Sequence, residues 1–282
     1  MGVSDDLTRG LQTLGAAPAA AVRRLPSATV LNVPLAVADY ELVIDWMESA
    51  IAADRRVSVS AAAVNLVMTA REDPVTAAAV ASTTLLVPDG QPLVWALRLL
   101  GHSSATRIYG PDLMAHFCDR AAVTGVPCYL YGGRDDEARA LLAARLAERH
   151  PGLRIAGGTS PPFRALTAGE EERVIEDING SGAKVVWVGI GQPKQEIWMA
   201  RLRPRLNAPV LVGVGAAFDF HAGLVPQAPP WMGRNGLEWS YRLAQEPRRL
   251  WRRYARHNPR FVLAFARQYL DERRRGGGRP SR

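Results

Sequence analysis

The chain has 282 residues, 48% of them hydrophobic and 22% charged, with a net charge of +8. That composition reads as a soluble globular protein with a sizeable core, and no apolar run approaches the roughly 18–20 residues a bilayer-spanning helix needs. Its two cysteines, Cys118 and Cys128, exclude a disulfide framework and a cysteine-based zinc site; their apolar neighbours predict buried thiols.

The Ala-rich start carries Asp5 and Asp6 and lacks the apolar stretch of a signal peptide, so it reads as a loose extension. Residues 28–33 are the first predicted strand. Asp39 is placed to cap a helix over 40–52, where Leu42, Val43, Trp46 and Ile51 make a rough helical stripe. A strand over 57–61 and a short helix over 64–70 follow, and Asp73-Pro74 opens another helix. A strand over 83–87 ends in Pro88-Asp89-Gly90, and an apolar helix spans 92–100. Arg107-Ile108-Tyr109-Gly110 leads to Pro111, which starts a helix to about residue 124. A strand over 128–131 runs into Gly132-Gly133, Asp135 begins a helix reaching His150, and residues 153–156 form the next strand. Thr167 stands three residues before Glu170, the spacing of a capping box, at the head of a helix to Asn179.

A β-branched strand over 184–188 then enters Gly189-Ile190-Gly191-Gln192-Pro193-Lys194, and a helix spans 196–203. Pro193 suits a first helical position, because it has no N–H to lose there. Glycines let the backbone approach a ligand closely, a helix start offers N–H groups and a positive dipole end, and Lys194 adds a charge. This is a suitable place to hold a phosphate, although an ordinary tight turn explains the same residues equally well. The last clear strand spans 209–214, with Gly213 and Gly215 at its end.

Repeated alternation of strand and helix predicts an α/β, Rossmann-like fold: a largely parallel sheet flanked by helices. Ligands in such folds bind beyond the carboxyl ends of the strands. Four predicted strand ends carry special residues, Asp89-Gly90, Gly132-Gly133, Gly189 to Gln195 and Gly213 to Asp219. Together they point to a nucleotide-type ligand.

After Gly223 the texture changes. Pro226, Pro229 and Pro230 break regular structure, a helix is predicted over 237–244, and another starts at Pro247 and is interrupted at Asn258-Pro259. Leu250, Trp251 and Tyr254 form an apolar edge that Phe261, Val262, Phe265 and Tyr269 continue. From Arg234 onward stand fourteen arginines and four acids, so a strongly basic tail follows a nearly neutral body. Such asymmetry points to an anionic partner, either nucleic acid or membrane. The bland reading is a helix pair with solvated Arg faces; the sharper one is an interfacial membrane element. The expected division is a loose extension (1–27), an α/β domain (28–235), a basic amphipathic appendage (236–272) and an Arg/Gly-rich tail without regular structure (273–282).

Several blocks occur in a telling order: Pro88-Asp89-Gly90, Arg107 to Met114, Tyr131-Gly132-Gly133, Gly189 to Glu196, Gly213 to Phe220, Leu237-Glu238-Trp239, Gln245 to Leu250 and Arg252-Arg253-Tyr254. This series resembles the WecG/TagA/CpsF family of bacterial glycosyltransferases over roughly residues 28–257. The resemblance implies inverting transfer of a sugar from a UDP-sugar to a polyprenyl-diphosphate-linked saccharide, in exopolysaccharide, common-antigen or teichoic-acid linkage-unit synthesis. It implies a cytoplasmic protein peripheral on the inner face of the cell membrane, with no metal and no other cofactor. The sequence agrees on metal: it has no Asp-x-Asp triplet, and its five histidines lack ligand spacing.

By position, the resemblance makes Asp89 the catalytic base and Gln195 a polar residue at the reaction centre. Arg107 is matched to the donor diphosphate. Gly132, Gly133, Gly189, Gly191, Lys194, Gly215 and Asp219, on the strand-end turns, complete the expected donor site. Arg242, Arg249 and Arg252 fall on appendage positions expected to reach phosphate. One departure stands out: where relatives carry a Thr-x-Asn element, this chain has Ala61 and Ala63, with Asn65 as the nearest polar residue. The expected partners are the UDP-sugar, the lipid-linked acceptor and an anionic membrane, with a homo-oligomer open and no nucleic acid. Two alternatives compete. A dinucleotide-binding enzyme lacks its glycine fingerprint after the first strand, and a nucleic-acid binder lacks a recognisable motif.

Overall fold

The computed structural model describes residues 23–276; residues 1–22 of the predicted extension and 277–282 of the predicted tail lie outside them. Strand β1 (Ser27–Val30) pairs antiparallel with β2 (Val33–Ala36), so the single strand expected over 28–33 is instead a hairpin. Its turn places Leu31 and Asn32 at φ 50° and 69°. Asparagine tolerates that region but leucine rarely enters it. Here Leu31 is buried, and its N–H donates to Gln268 Oε1 at 2.8 Å. Tertiary contacts thus supply what a glycine-containing turn would have announced in sequence.

Six strands make the main sheet: β3 (Val57–Ala62), β4 (Leu85–Pro88), β5 (Cys128–Gly132), β6 (Ile155–Thr159), β7 (Val185–Gly189) and β8 (Val210–Gly213). They run in the order β4-β3-β8-β7-β5-β6, every pairing parallel. The predicted α/β class and largely parallel sheet are therefore observed. Every residue of β3, β4, β5 and β8 is buried, as expected for strands covered on both faces. Trp187 on β7 is fully buried and meets Phe117 edge-on, with ring centroids 5.6 Å apart. Tyr131, on β5, stacks on Trp198 with centroids 4.1 Å apart. Cys118 and Cys128 are buried free thiols.

The helices that position the site are α1 (Tyr40–Ala52), α2 (Val64–Glu72), α3 (Pro74–Ser82), α4 (Gln91–Leu99), α5 (Gly110–Thr124), α6 (Asp136–Arg149), α7 (Ala168–Gly180) and α8 (Lys194–Leu202). Asp39 caps α1 by accepting from Leu42 N–H, and Thr167 and Glu170 form the predicted capping box of α7. Pro193 is not the first residue of α8 but its N-cap, at the end of a turn closed by a cis Gln192–Pro193 peptide.

Beyond β8 come α9 (Ala217–His221), α10 (Pro230–Arg234), α11 (Glu238–Gln245) and α12 (Pro247–Gly276). Helix α12 runs unbroken through Pro259, against the predicted interruption, and continues past residue 272. An interior proline costs about 3 kcal/mol. Leu250 and His257 before it, and Phe261 and Phe265 after it, are all buried, and each fully buried Phe contributes about 1.5–3 kcal/mol. Arg256 and Arg260 also pair with Glu72 on α2, and Gln268 Nε2 donates to Thr29 O at 2.8 Å. The predicted single apolar edge is therefore split. Leu250, Phe261 and Phe265 face the body, whereas Trp251, Val262, Leu263 and Leu270 remain more than half exposed. Among the described residues no helix is long and apolar enough to cross a membrane.

Candidate active site

The carboxyl ends of β3, β4, β5, β7 and β8 open into one cavity of about 840 Å³. Asp89, Gly90, Arg107, Gly133, Gly189, Gly191, Lys194, Gln195, Gly215, Asp219 and Arg242 all lie on its wall. Residues far apart in sequence thus meet at the place where open parallel sheets bind ligands.

Asp89 follows β4 directly, and its N–H donates to Ala62 O at the end of β3 (2.9 Å). Arg107 Nε donates to Asp89 O at 2.6 Å, and Nη2 reaches Asp89 Oδ1 at 3.4 Å and Glu238 Oε2. The guanidinium also lies 4.3 Å from the centroid of the Tyr109 ring. The Asp89 side chain keeps 21% exposure at the cavity floor. Burial pushes its carboxyl up to about 7; Arg107 and Arg242 pull it down, and Glu238 pushes it further up. A carboxylate poised near neutrality is suited to take a proton from a hydroxyl.

Gln195 is fully buried and its amide is spent on the protein: Oε1 accepts from Gly215 N–H (3.0 Å) and Nε2 donates to Glu196 Oε1 (2.8 Å). Glu196 also accepts from the Ser60 hydroxyl of β3 at 2.5 Å, and burial raises its carboxyl above the usual range. Gln192 Nε2 donates to Ala61 O at 2.6 Å. The turn after β7 is thereby tied to β3 and to the loop after β8, which makes Gln195 a brace within the cavity wall.

The expected donor-site glycines divide into two kinds. A Cβ on Gly132 would lie 2.7 Å from the Gly189 carbonyl carbon, and one on Gly189 would lie 2.6 Å from the Phe218 ring; these two let the layers close. Gly191 (φ 81°) has open space around its Cβ direction, and Gly133 (φ 96°) and Gly215 (φ 57°) also hold left-handed turns on the cavity wall. Lys194 is exposed at the start of α8, and Asp219 pairs with Arg134 at 3.0 Å.

The C-terminal helices form the other wall. Arg242 lies 5.7 Å from the centroid of the Phe220 ring. Arg252 is exposed, stands over Trp251 at 5.5 Å and is absent from the wall, whereas its neighbour Arg253 lines it and keeps a buried, unpaired Nε. The side chain of Arg249 lies outside the described residues. Ala61 and Ala63 line the cavity, and Asn65 Oδ1 lies 3.0 Å from His257 Nδ1 across the cleft. Glu238, Arg253 and His257 escaped the sequence reading of the site. Glu238 and Arg253 stood within quoted blocks, but a lone histidine carries no signal. Among the described residues no group of three or more His, Cys, Asp or Glu side chains is arranged to hold a metal ion.

The crevice thus gathers the Asp89 carboxyl, Arg107 and Arg242 at the carboxyl ends of the strands. The sequence model of the glycosyl transferase WecG/TagA/CpsF family matches residues 28–275, and the chain belongs to that family of glycosyltransferases.

Proposed function

We propose that this glycosyltransferase moves a sugar from a UDP-sugar to a polyprenyl-diphosphate-linked saccharide, inverting the anomeric carbon, while docked on the inner face of the cell membrane. The product belongs to exopolysaccharide, common-antigen or teichoic-acid linkage-unit synthesis. The observation that carries this reading is the Asp89–Arg107 pair at the floor of the strand-end crevice, a partly buried carboxyl beside a cation anchored on its own backbone. A cavity of about 840 Å³ has room for a nucleotide sugar and part of an acceptor.

In the proposed step the acceptor hydroxyl gives its proton to Asp89 as its oxygen bonds to the sugar C1. The bond from C1 to the donor phosphate oxygen breaks on the opposite face, and UDP leaves with that electron pair. Arg107 and Arg242 offset the charge gathering on the diphosphate, and the open turn at Gly191 lets it approach the backbone. These groups support transfer without a divalent metal. The outer face of α12 carries exposed Trp251, Val262, Leu263 and Leu270 among Arg248, Arg252 and Arg267, a composition suited to the headgroup layer of an anionic membrane.

The test is a screen of UDP-sugars against a short polyprenyl-diphosphate-sugar acceptor in EDTA, read by product mass. One donor should add one sugar residue. Gain of mass only from another nucleotide's sugars would overturn the UDP assignment. Gain only after magnesium or manganese is restored would overturn the metal-free step.

A further inference from the structure

We propose that Glu238 holds, on Arg107, the place of a donor phosphate oxygen and is exchanged for it when the donor binds. The inference rests on the reading of the crevice as a UDP-sugar site. It makes Glu238 a positioning residue, one that keeps Arg107 aimed before the donor binds and yields it to substrate.

The two partners are held very differently. Arg107 is anchored through Nε to the Asp89 carbonyl oxygen at 2.6 Å, and its neighbour Ile108 is fully buried. That anchor belongs to the sheet layer and does not depend on the C-terminal helices. Arg107 Nη2 is divided between two carboxylates, with Asp89 Oδ1 at 3.4 Å and Glu238 Oε2 the nearer. Glu238 begins α11, a helix with no fully buried residue; its side chain is 14% exposed and meets Tyr109 as well as Arg107. It can withdraw without opening the core.

Space and charge point the same way. Behind the pair lies a second cavity of about 300 Å³, lined by Tyr40, Asp112, Gln227 and Gly233 together with Arg107 and Glu238 themselves. The displaced carboxylate has somewhere to go. In the cleft Asp89 and Glu238 face Arg107 and Arg242, acids set against cations. A diphosphate that entered while Glu238 stayed would set anion against anion in a partly desolvated cleft. Carboxylate and phosphate oxygens make the same charge-assisted bond to a guanidinium, so the exchange conserves the contact while changing its owner.

The test compares wild type with Glu238→Gln, which keeps the shape and removes the charge, using UDP by calorimetry and uridine by ligand-observed NMR. UDP should bind about tenfold tighter to the variant, because a neutral amide competes poorly for Arg107. Uridine, which has no phosphate, should bind both proteins equally. A merely structural Glu238 predicts the opposite sign, weaker binding of UDP and uridine alike. UDP affinity that is unchanged or weaker in the variant overturns the exchange and leaves the UDP-sugar reading standing. Failure of both proteins to bind UDP overturns both.

Discussion

The two walls of the cleft are built on different principles. The strand-end wall is fixed by backbone approach: Gly132 against Gly189, Gly189 against Phe218, and the Gln192, Gln195 and Glu196 side chains tying three loops together. The C-terminal wall is held by a few side chains, Leu250, His257, Phe261 and Phe265 on α12, and no residue of α11 is fully buried. Asp89 and Arg107 belong to the first wall, Glu238, Arg242 and Arg253 to the second. The cleft therefore joins a densely tied wall to one whose charged side chains sit on sparsely packed helices.

Breaking the rigid wall at its chemical group should have the largest effect. Asp89→Asn removes the proton acceptor with little change in volume, and loss of a general base typically costs about 10²–10⁴-fold in rate. UDP affinity should stay close to wild type; near-normal turnover at saturating substrate would remove Asp89 from the role. The same variant has a stability signature. The folded carboxyl titrates at about 7, above the roughly 3.9 of an unfolded chain. Its contribution to stability is therefore complete below the unfolded value and is lost as pH rises through 7. An uncharged Asn escapes that loss, so the Tm of the variant relative to wild type should rise between pH 5 and pH 8. A pH-independent difference would contradict the raised affinity of the Asp89 carboxyl for its proton.

A methyl group sharpens the comparison next. Gly189→Ala drives a Cβ into the Phe218 ring and should destabilise the protein by about 1–3 kcal/mol in denaturant melts. On the other wall Val262→Ala, at a position 63% exposed, should stay within about 0.5 kcal/mol. Equal losses would erase the distinction between the walls. A smaller effect, visible only with vesicles, should follow from Trp251→Ser, Leu263→Ser and Leu270→Ser combined. Flotation with anionic liposomes should fall severalfold, while transfer to a short water-soluble acceptor stays unchanged because none of the three lines the cleft. Undiminished flotation would move the membrane contact elsewhere.

Much of the first wall was legible in sequence, because strand ends announce themselves through glycine and Asp-Gly pairs. The roles of the glycines were not: Gly189 and Gly191 look alike in the chain, yet one is squeezed by Phe218 and the other is open. Such differences arise from neighbours distant in sequence. The second wall was less readable. Which of Arg252 and Arg253 faces the cleft depends on helix phase, and that phase is carried through Pro259 by packing no local rule anticipates. The hairpin turn at Leu31-Asn32 was hidden for the same reason, being held by Gln268 from the far end of the chain.

The proposed step depends on both walls together holding Asp89 as a base of near-neutral affinity. It is tested most directly by NMR titration of the carboxyl in protein labelled with ¹³C at aspartate, with the Asp89 signal assigned by its disappearance in Asp89→Asn. This needs no knowledge of the donor sugar. Asp89, pushed up by burial, should show a midpoint at about 7. A midpoint close to that of an ordinary aspartate, roughly 3.9, would contradict it.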